Sequence, residues 1–356
     1  MAKRSRIMRL LLLVAATTCI GAPVAGAQWI TQRSGTSDEL RGLSVVSSAV
    51  AWASGQHGTV LRTLNGGATW QRDTVPGASL LDFRAIAATS PRVAHVLSIG
   101  DSSRIYRTAD GGRTWSLRFA STRKGAFFDA IQFSDATHGI AMSDPVDGHF
   151  LLIATNDGGE SWHEIPADRI PPALRGEGAF AASGTCLIVL GASDAWFVSG
   201  GAAVSRVYHS ADRGEHWSVA DAPIRAGAAS AGIFSIAFAD AMRGAISGGD
   251  YQQPALRGRN VATTSDGGRT WVAADSALSP AGYRSAVAYW PGSHAQRLVA
   301  VGLTGTDTST DGGRRWGTTD TTAYNSVALV ADGRRCVRGW VVGPTGRIGT
   351  MRRCGR

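Results

Sequence analysis

Six copies of one eight-residue segment, each ending in tryptophan, constrain the fold of this chain more than any other feature. In a representative copy, residues 108–115 read Thr-Ala-Asp-Gly-Gly-Arg-Thr-Trp, and successive tryptophans lie 45–55 positions apart. A repeat of roughly 45 residues with room for four short strands is typical of a β-propeller blade. The six segments, called boxes below, are residues 63–70, 108–115, 155–162, 210–217, 264–271 and 309–316.

Each box is predicted to form a tight turn between two strands. Its Asn or Asp can accept hydrogen bonds from backbone N–H groups just ahead of it, and its glycines adopt positive φ without steric cost. The tryptophan is expected to pack between neighbouring blades. Because one active site cannot need six copies spread around a ring, we assign none of these residues to catalysis or metal binding. The six residues are Asn65, Asp110, Asp157, Asp212, Asp266 and Asp311.

The first 27 residues have the features of a secretory signal peptide. Four basic residues precede an apolar run over residues 10–20, and residues 25–27 (Ala-Gly-Ala) fit a cleavage site. We expect residues 28–356 to form one exported domain, periplasmic or extracellular, without a transmembrane segment. Without the leader, 32 Lys and Arg stand against 27 Asp and Glu, a net charge of +5. This mild excess does not predict a nucleic-acid-binding surface.

Three cysteines remain in the expected mature chain. Cys336 and Cys354 fall near the same end of adjacent strands in the last repeat, so we predict a disulfide between them. Cys186 would then be a free thiol, for which packing in the core is the default role.

The repeats predict seven blades rather than six. Seven inner strands are expected, and the seventh repeat ends before its box and outer strand. The missing strand is supplied by residues 29–33, which align with residues 70–74 of the next repeat. The N-terminal strand would therefore close the ring and remove the exposed edges of an open sheet. The predicted inner strands are residues 43–46, 85–88, 130–133, 186–189, 235–238, 286–289 and 326–329.

The boxes, together with the sequence Gly-Trp-Val-Val-Gly-Pro-Thr-Gly at residues 339–346, resemble the photosystem II stability/assembly factor family. That family comprises exported seven-bladed propellers with Asp-box (BNR) repeats, and the resemblance covers residues 28–356. The resemblance implies a role in binding or assembly. Some members of the family are described loosely as oxidoreductases or as glycosidase-like proteins. Sialidases share the boxes but have six blades and a Phe/Tyr-Arg-Ile-Pro element, to which residues 83–86 (Phe-Arg-Ala-Ile) are a poor match.

Strand alternation sorts the loops onto two faces of the propeller. The boxes share one face, the box face, with the turns between inner and second strands. The opposite, non-box face carries the longest connections, residues 163–184, 218–233 and 250–260. Long loops on a rigid scaffold are where binding sites usually lie, so we predict the functional site on the non-box face.

The candidate binding residues are those that depart from the repeat on that face. Several also have a purely structural interpretation, in which Asp144 and Asp147 cap a turn and Arg84 and Arg284 pair with Asp129 or Glu177. The full set is Arg84, Asp129, Asp144, Asp147, Glu177, Asp250, Tyr251, Tyr283, Arg284 and Asn325.

Two functions remain open on the sequence. The first is a scaffold that binds a protein, peptide or glycan at the propeller mouth and acts as a monomer. The alternative is a carbohydrate-active hydrolase that uses two carboxylates among Asp129, Asp144, Asp147, Glu177 and Asp250. No serine-nucleophile motif, nucleotide fingerprint or metal-ligand spacing is present, so we expect no cofactor, no metal and no nicotinamide chemistry.

Overall fold

The computed structural model describes residues 29–100 and 103–355. Within these residues the chain forms 28 strands in seven four-stranded antiparallel sheets, which confirms the seven-bladed propeller. The first strand is β1 (Ile30–Gln32). Blade 1 contains β2 (Leu40–Val45), β3 (Ala51–Gly55), β4 (Thr59–Thr63) and β5 (Gln71–Thr74). Blade 2 contains β6 (Phe83–Ala88), β7 (Ala94–Ser98), β8 (Arg104–Thr108) and β9 (Ser116–Ala120).

The remaining blades repeat this order from the inner to the outer strand. Blade 3 contains β10 (Phe128–Phe133), β11 (Gly139–Val146), β12 (His149–Thr155) and β13 (His163–Glu164). Blade 4 contains β14 (Leu187–Leu190), β15 (Asp194–Val198), β16 (Ser205–Ser210) and β17 (Ser218–Ala222). Blade 5 contains β18 (Ala231–Phe238), β19 (Gly244–Asp250), β20 (Val261–Thr264) and β21 (Val272–Ala273). Blade 6 contains β22 (Ala286–Tyr289), β23 (Leu298–Gly302), β24 (Gly305–Ser309) and β25 (Gly317–Asp320). Blade 7 contains β26 (Ser326–Asp332), β27 (Cys336–Val342) and β28 (Ile348–Cys354).

The N-terminal strand completes blade 7, as the sequence predicted. Strand β1 pairs antiparallel with β28, with Ile30 opposite Thr350. Trp29, just before β1, is buried, and its indole N–H donates to Thr306 Oγ1 at 3.2 Å. The first and last described segments of the chain therefore share one sheet, and the ring has no open edge at its closure.

The core lies between neighbouring blades, where the two faces of each sheet pack against the next sheet. Second strands such as β3 and β7 are buried along their whole length because a neighbouring sheet covers each face. Trp52 of blade 1 meets Trp115 of the blade 2 box edge to face, with ring centroids 6.3 Å apart. The box tryptophan thus packs between blades, as expected.

The box of blade 2 shows how this turn is held. Asp110 Oδ1 accepts hydrogen bonds from the Thr108 hydroxyl at 2.9 Å and from the Thr114 backbone N–H at 3.0 Å. The Trp115 indole N–H donates to the Gly112 carbonyl at 3.1 Å. Gly112 has φ +87°, and a Cβ there would lie 2.0 Å from a carboxylate oxygen of Asp73 in the preceding blade. Glycine is required here by both the turn and the close approach of the preceding blade.

The C-terminal strand is cross-linked to its neighbour. Cys336 and Cys354 face each other in the β27–β28 pairing and form a disulfide, with Cα atoms 3.9 Å apart. Cys186 is a free, buried cysteine. The predicted leader lies outside the described residues. Among the residues that are described, no helix is long and apolar enough to cross a membrane.

Candidate functional site

A pocket of about 360 Å³ lies where the inner strands begin on the non-box face, and we call it the mouth pocket. Half of the ten candidate residues line it: Arg84, Asp129, Tyr251, Tyr283 and Asn325. The structure therefore brings these five together at one end of the central channel. The sequence analysis did not identify the lining residues Arg41, Phe127, Phe180, Phe234 and Leu303.

Four pocket residues occupy the same position in their blades, namely a β-bulge at the start of the inner strand. The pairing with the second strand shifts register around Arg41 in blade 1, Arg84 in blade 2, Asp129 in blade 3 and Phe234 in blade 5. A bulge leaves one residue unpaired and re-aims its side chain. The propeller thus presents one variable residue from each of these blades to the channel mouth.

The floor of the mouth pocket is a segment of the chain itself, residues 178–185, which we call the plug. It belongs to the long connection before β14. Four of its hydrogen bonds reach residues in or next to the inner strands of blades 1, 3, 6 and 7. These bonds join Arg41 Nη1 to Ala182 O, Gln132 Nε2 to Gly184 O, Ser183 Oγ to Ser285 O and Ser326 Oγ to Ser183 O.

Plug residues 179–182 line the mouth pocket. Thr185, at the other end of the plug, donates its hydroxyl hydrogen to Ser235 Oγ at 2.7 Å and lines a second cavity of about 590 Å³. That cavity opens on the box face and is lined mainly by apolar ends of inner strands. The plug therefore lies between the two cavities.

One side of the mouth pocket carries two guanidinium groups, each paired with a carboxylate. Arg41 forms an ion pair with Glu39 at 2.9 Å, and Arg84 forms one with Asp82 at 2.8 Å. Both guanidinium groups keep partial exposure, 21% for Arg41 and 28% for Arg84. Arginine has five N–H donors, so a guanidinium held by one carboxylate can still donate to a ligand oxygen.

The opposite side of the mouth pocket is aromatic. The rings of Phe180 and Phe234 stack with centroids 3.8 Å apart and planes 14° apart. Tyr283 meets Phe234 edge to face at 4.7 Å, and Tyr251 does so at 6.2 Å. Tyr251 is 44% exposed, so the cluster extends from the buried floor to the surface. Such a cluster offers a rigid apolar surface at low cost in side-chain entropy.

Asp129 lies at the base of the pocket without a hydrogen-bond partner for either carboxyl oxygen. Burial raises the pKa of Asp129 well above its usual range, and the nearby charge of Asp144 adds to the rise. The charge of Arg84 opposes this only in part, as do the nearby backbone N–H groups of Ala181 and Asp144, which do not reach hydrogen-bond geometry with the carboxyl. The Asp129 carboxyl is therefore held uncharged to a higher pH than an ordinary aspartate.

Asp144 lies beside the plug rather than in the pocket lining. Its Oδ1 accepts a hydrogen bond from the Ala179 backbone N–H at 2.7 Å. Burial raises the pKa of Asp144 to about 6, and the bond from Ala179 opposes the rise. Burial, and the neighbouring Asp129, also raise the pKa of the Cys186 thiol, which makes it a poor nucleophile. Among the described residues, no group of three or more His, Cys, Asp or Glu could hold a metal ion.

The other four candidates lie outside the mouth pocket, three of them in internal structural contacts. Glu177 forms a buried ion pair with Arg206. Arg284, a mouth-facing residue in the sequence analysis, is fully buried and paired with Asp307. Arg284 points into blade 6, whereas its neighbour Tyr283 lines the pocket.

Asp147 and Asp250 act in turns. Asp147, at the exposed tip of the β11–β12 turn, has φ +52° and pairs with Arg123 at 3.2 Å. Asp250 is buried and accepts hydrogen bonds from Gln252 N at 2.9 Å and Gln253 Nε2 at 3.2 Å. Their carboxylates thus stabilise the loops that surround the site.

A stricter use of the repeat could have found two of the missed residues. Arg41 and Phe234 occupy in blades 1 and 5 the position that Arg84 and Asp129 occupy in blades 2 and 3. Phe180 has no equivalent in other repeats because it belongs to an insertion. Only the folded plug places it next to Phe234.

No protein-family model matches the sequence, and no curated protein matches it. Solved structures do match. A structure described as YCF48 bound to D1 peptide has a TM-score of 0.62 at 15% identity, with 90% of this chain and 96% of that chain covered. YCF48 from Cyanidioschyzon merolae has a TM-score of 0.62 at 18% identity, with 91% and 99% covered.

A glycoside hydrolase also shares the fold. The GH74 xyloglucanase from Xanthomonas campestris has a TM-score of 0.63 at 17% identity, and this chain spans 53% of its length. Identities this low show a shared fold. The chain is a seven-bladed β-propeller similar in structure to YCF48, which confirms at the level of fold its resemblance to the photosystem II assembly-factor propellers.

Proposed function

We propose that this propeller is a binding scaffold that holds a segment of another protein in the mouth pocket. The observation that carries the proposal is the composition of the pocket, with guanidinium groups of Arg41 and Arg84 on one side and the Phe180–Phe234 stack on the other. A short peptide can offer a carbonyl or carboxylate oxygen to the first group and an apolar side chain to the second. Aromatic and arginine side chains in a partly buried pocket are the usual anchors of protein recognition.

The structural likeness to a propeller bound to a peptide supports the proposal at the level of fold. The carboxylates give less support to hydrolysis. Asp144 accepts a backbone hydrogen bond, Glu177 and Asp250 are buried in structural contacts, and Asp147 lies at an exposed turn. Glycoside cleavage needs two carboxyl groups across the substrate, about 5–10 Å apart. Of the five candidate carboxylates, only Asp129 lines the mouth pocket.

The proposal is tested with residues 28–356 and an immobilised library of short peptides of varied sequence, followed by fluorescence anisotropy on the peptides retained. Arg84→Glu is expected to weaken binding about tenfold or more, since anchor residues contribute over ~1 kcal/mol. Tyr251→Ala should weaken it as well. The matched control is Arg314→Glu, a charge reversal of an exposed arginine in the blade 6 box, which should leave binding unchanged.

Two outcomes would overturn the proposal. One is the absence of peptide binding by the wild-type protein. The other is equal affinity of the Arg84→Glu and Arg314→Glu variants. A parallel glycan panel, scored for new reducing ends, covers the alternative: cleavage that is lost in Asp129→Asn would identify a hydrolase instead.

A further inference from the structure

Glu177 was a candidate ligand contact, but the structure gives it another position. Its side chain has no exposed surface, and both carboxylate oxygens are fully engaged. Oε1 accepts hydrogen bonds from Ser199 Oγ at 2.5 Å and Arg206 Nε at 2.9 Å. Oε2 accepts from the Leu174 backbone N–H at 2.7 Å and from a terminal nitrogen of Arg206. Glu177 therefore ties the connection that precedes the plug to strands β15 and β16 of blade 4.

After Glu177 the plug packs against two backbone segments that carry glycine where they meet it. Gly178 pairs with Gly200, and Gly200 pairs in turn with Gly232. A Cβ at Gly200 would lie 2.8 Å, and one at Gly232 2.7 Å, from the same ring carbon of Phe180. The two glycines thus leave room for the Phe180 ring, which lies over them and stacks on Phe234. Any side chain at either position would displace the ring.

Between Glu177 and Phe180 two backbone N–H groups donate hydrogen bonds that hold the chain. The Gly178 N–H donates to Gly200 O at 3.1 Å, and the Ala179 N–H donates to Asp144 Oδ1 at 2.7 Å. Gly176 and Gly178 flank Glu177, so the local backbone has little intrinsic preference for this path. The buried ion pair sets the direction in which the plug enters the channel, because a carboxylate with this many donors has one low-energy position.

We propose that Glu177 is a positioning residue of the mouth pocket, which holds the plug so that Phe180 forms the surface on which an apolar or aromatic side chain of the ligand rests. The inference depends on the proposed function for its ligand, and it narrows the ligand to a segment that carries such a side chain. Glu177 does not contact the ligand. Phe180 does, through the ring surface that remains partly exposed in the pocket.

The first test measures the plug without any ligand. In Glu177→Gln, amide hydrogen exchange at residues 178–182 should become about tenfold faster or more, because the ordered path opens more easily. Ser199→Ala, which removes one of the Glu177 hydrogen bonds, should give a smaller change in the same amides and serves if Glu177→Gln does not fold. The matched control is Leu61→Ala, a buried core truncation in blade 1, which lowers global stability without selectively accelerating these amides.

The second test uses the peptides selected by the wild-type protein. A peptide with one aromatic residue is compared with the same peptide carrying alanine at that position. The ratio of the two affinities should be about tenfold or more smaller in Phe180→Leu and in Glu177→Gln than in the wild type. A purely structural role for Glu177 would lower the melting temperature and leave this ratio unchanged.

The outcomes separate the two claims. Unchanged exchange at residues 178–182 in both Glu177→Gln and Ser199→Ala overturns the positioning role. An unchanged affinity ratio in Phe180→Leu overturns Phe180 as the ligand surface. If the wild type binds no peptide, the proposed function fails with the ligand part of the inference, and hydrogen exchange alone decides whether Glu177 holds the plug.

Discussion

Replacing Asp144 with Asn should remove part of the pH dependence of the protein's stability. Asp144 is held next to the plug by the Ala179 N–H, and burial raises its pKa from 3.8 to about 6. A shift of about two units, at ~1.4 kcal/mol each, corresponds to about 3 kcal/mol of free energy of unfolding. Asn keeps the oxygen that accepts the Ala179 hydrogen bond but cannot ionise.

The sign follows from which state binds the proton more tightly. The folded protein retains the Asp144 proton up to about pH 6, whereas the unfolded chain releases it above about pH 4. The unfolded state therefore carries fewer protons in this window, and the contribution of Asp144 to stability falls as the pH rises from about 4 to about 6. Above that window the contribution is constant.

The assay is urea unfolding of both proteins at about pH 3.5, 5 and 7. The free energy of unfolding of the wild type, minus that of Asp144→Asn, should fall by about 3 kcal/mol across the series. Asp147→Asn, in the turn that follows β11 and 86% exposed, should follow the wild type. A difference between wild type and Asp144→Asn that stays constant, or that grows with pH, would refute the assignment of a raised pKa to this buried carboxyl.

Further predictions concern the scaffold. Asp110→Ala should lower the free energy of unfolding by roughly 1–2 kcal/mol through lost turn hydrogen bonds, with peptide affinity unchanged; a loss of affinity without a loss of stability would contradict this. Deletion of residues 28–34 should expose the edge of β28 and cause aggregation in light scattering, whereas a monodisperse product would count against ring closure. Replacing Cys336 and Cys354 with Ser should cost roughly 3 kcal/mol in chemical unfolding, and an unchanged midpoint would argue against the disulfide. Arg284→Met should destabilise by roughly 3–5 kcal/mol because its carboxylate partner stays buried, and a near-wild-type melting temperature would show that the pair is not needed.

The boxes and the inner-strand pattern were sufficient to predict the number of blades and the way in which the ring closes. Each box is a local turn whose hydrogen bonds form within eight residues, so its sequence determines its structure. Strand β1 could be matched to its place because residues 29–33 look like the outer strand of another repeat. Such inferences are possible because the six copies of the box adopt the same local structure.

The residues of the mouth pocket could be predicted from the repeat only in part. Arg84 and Asp129 could be picked out because they vary at a position that repeats, and the same rule applies to Arg41 and Phe234. In blade 6 the corresponding place belongs to Ser285, and Arg284, one residue earlier, turns inward to Asp307. The repeat pattern did not show which of two adjacent residues at the entry of this strand turns into its own blade.

The local sequence therefore determined the propeller, while tertiary structure alone decided the site. The floor of the pocket is made by a unique insertion whose contacts join residues far apart in the chain, such as Arg41 with Ala182. The direction of that insertion depends on the ion pair between Glu177 and Arg206, two residues that meet only after blade 4 has formed. Turns and strands arise from neighbours in sequence, but a pocket on the axis arises from side chains that the closed ring brings together.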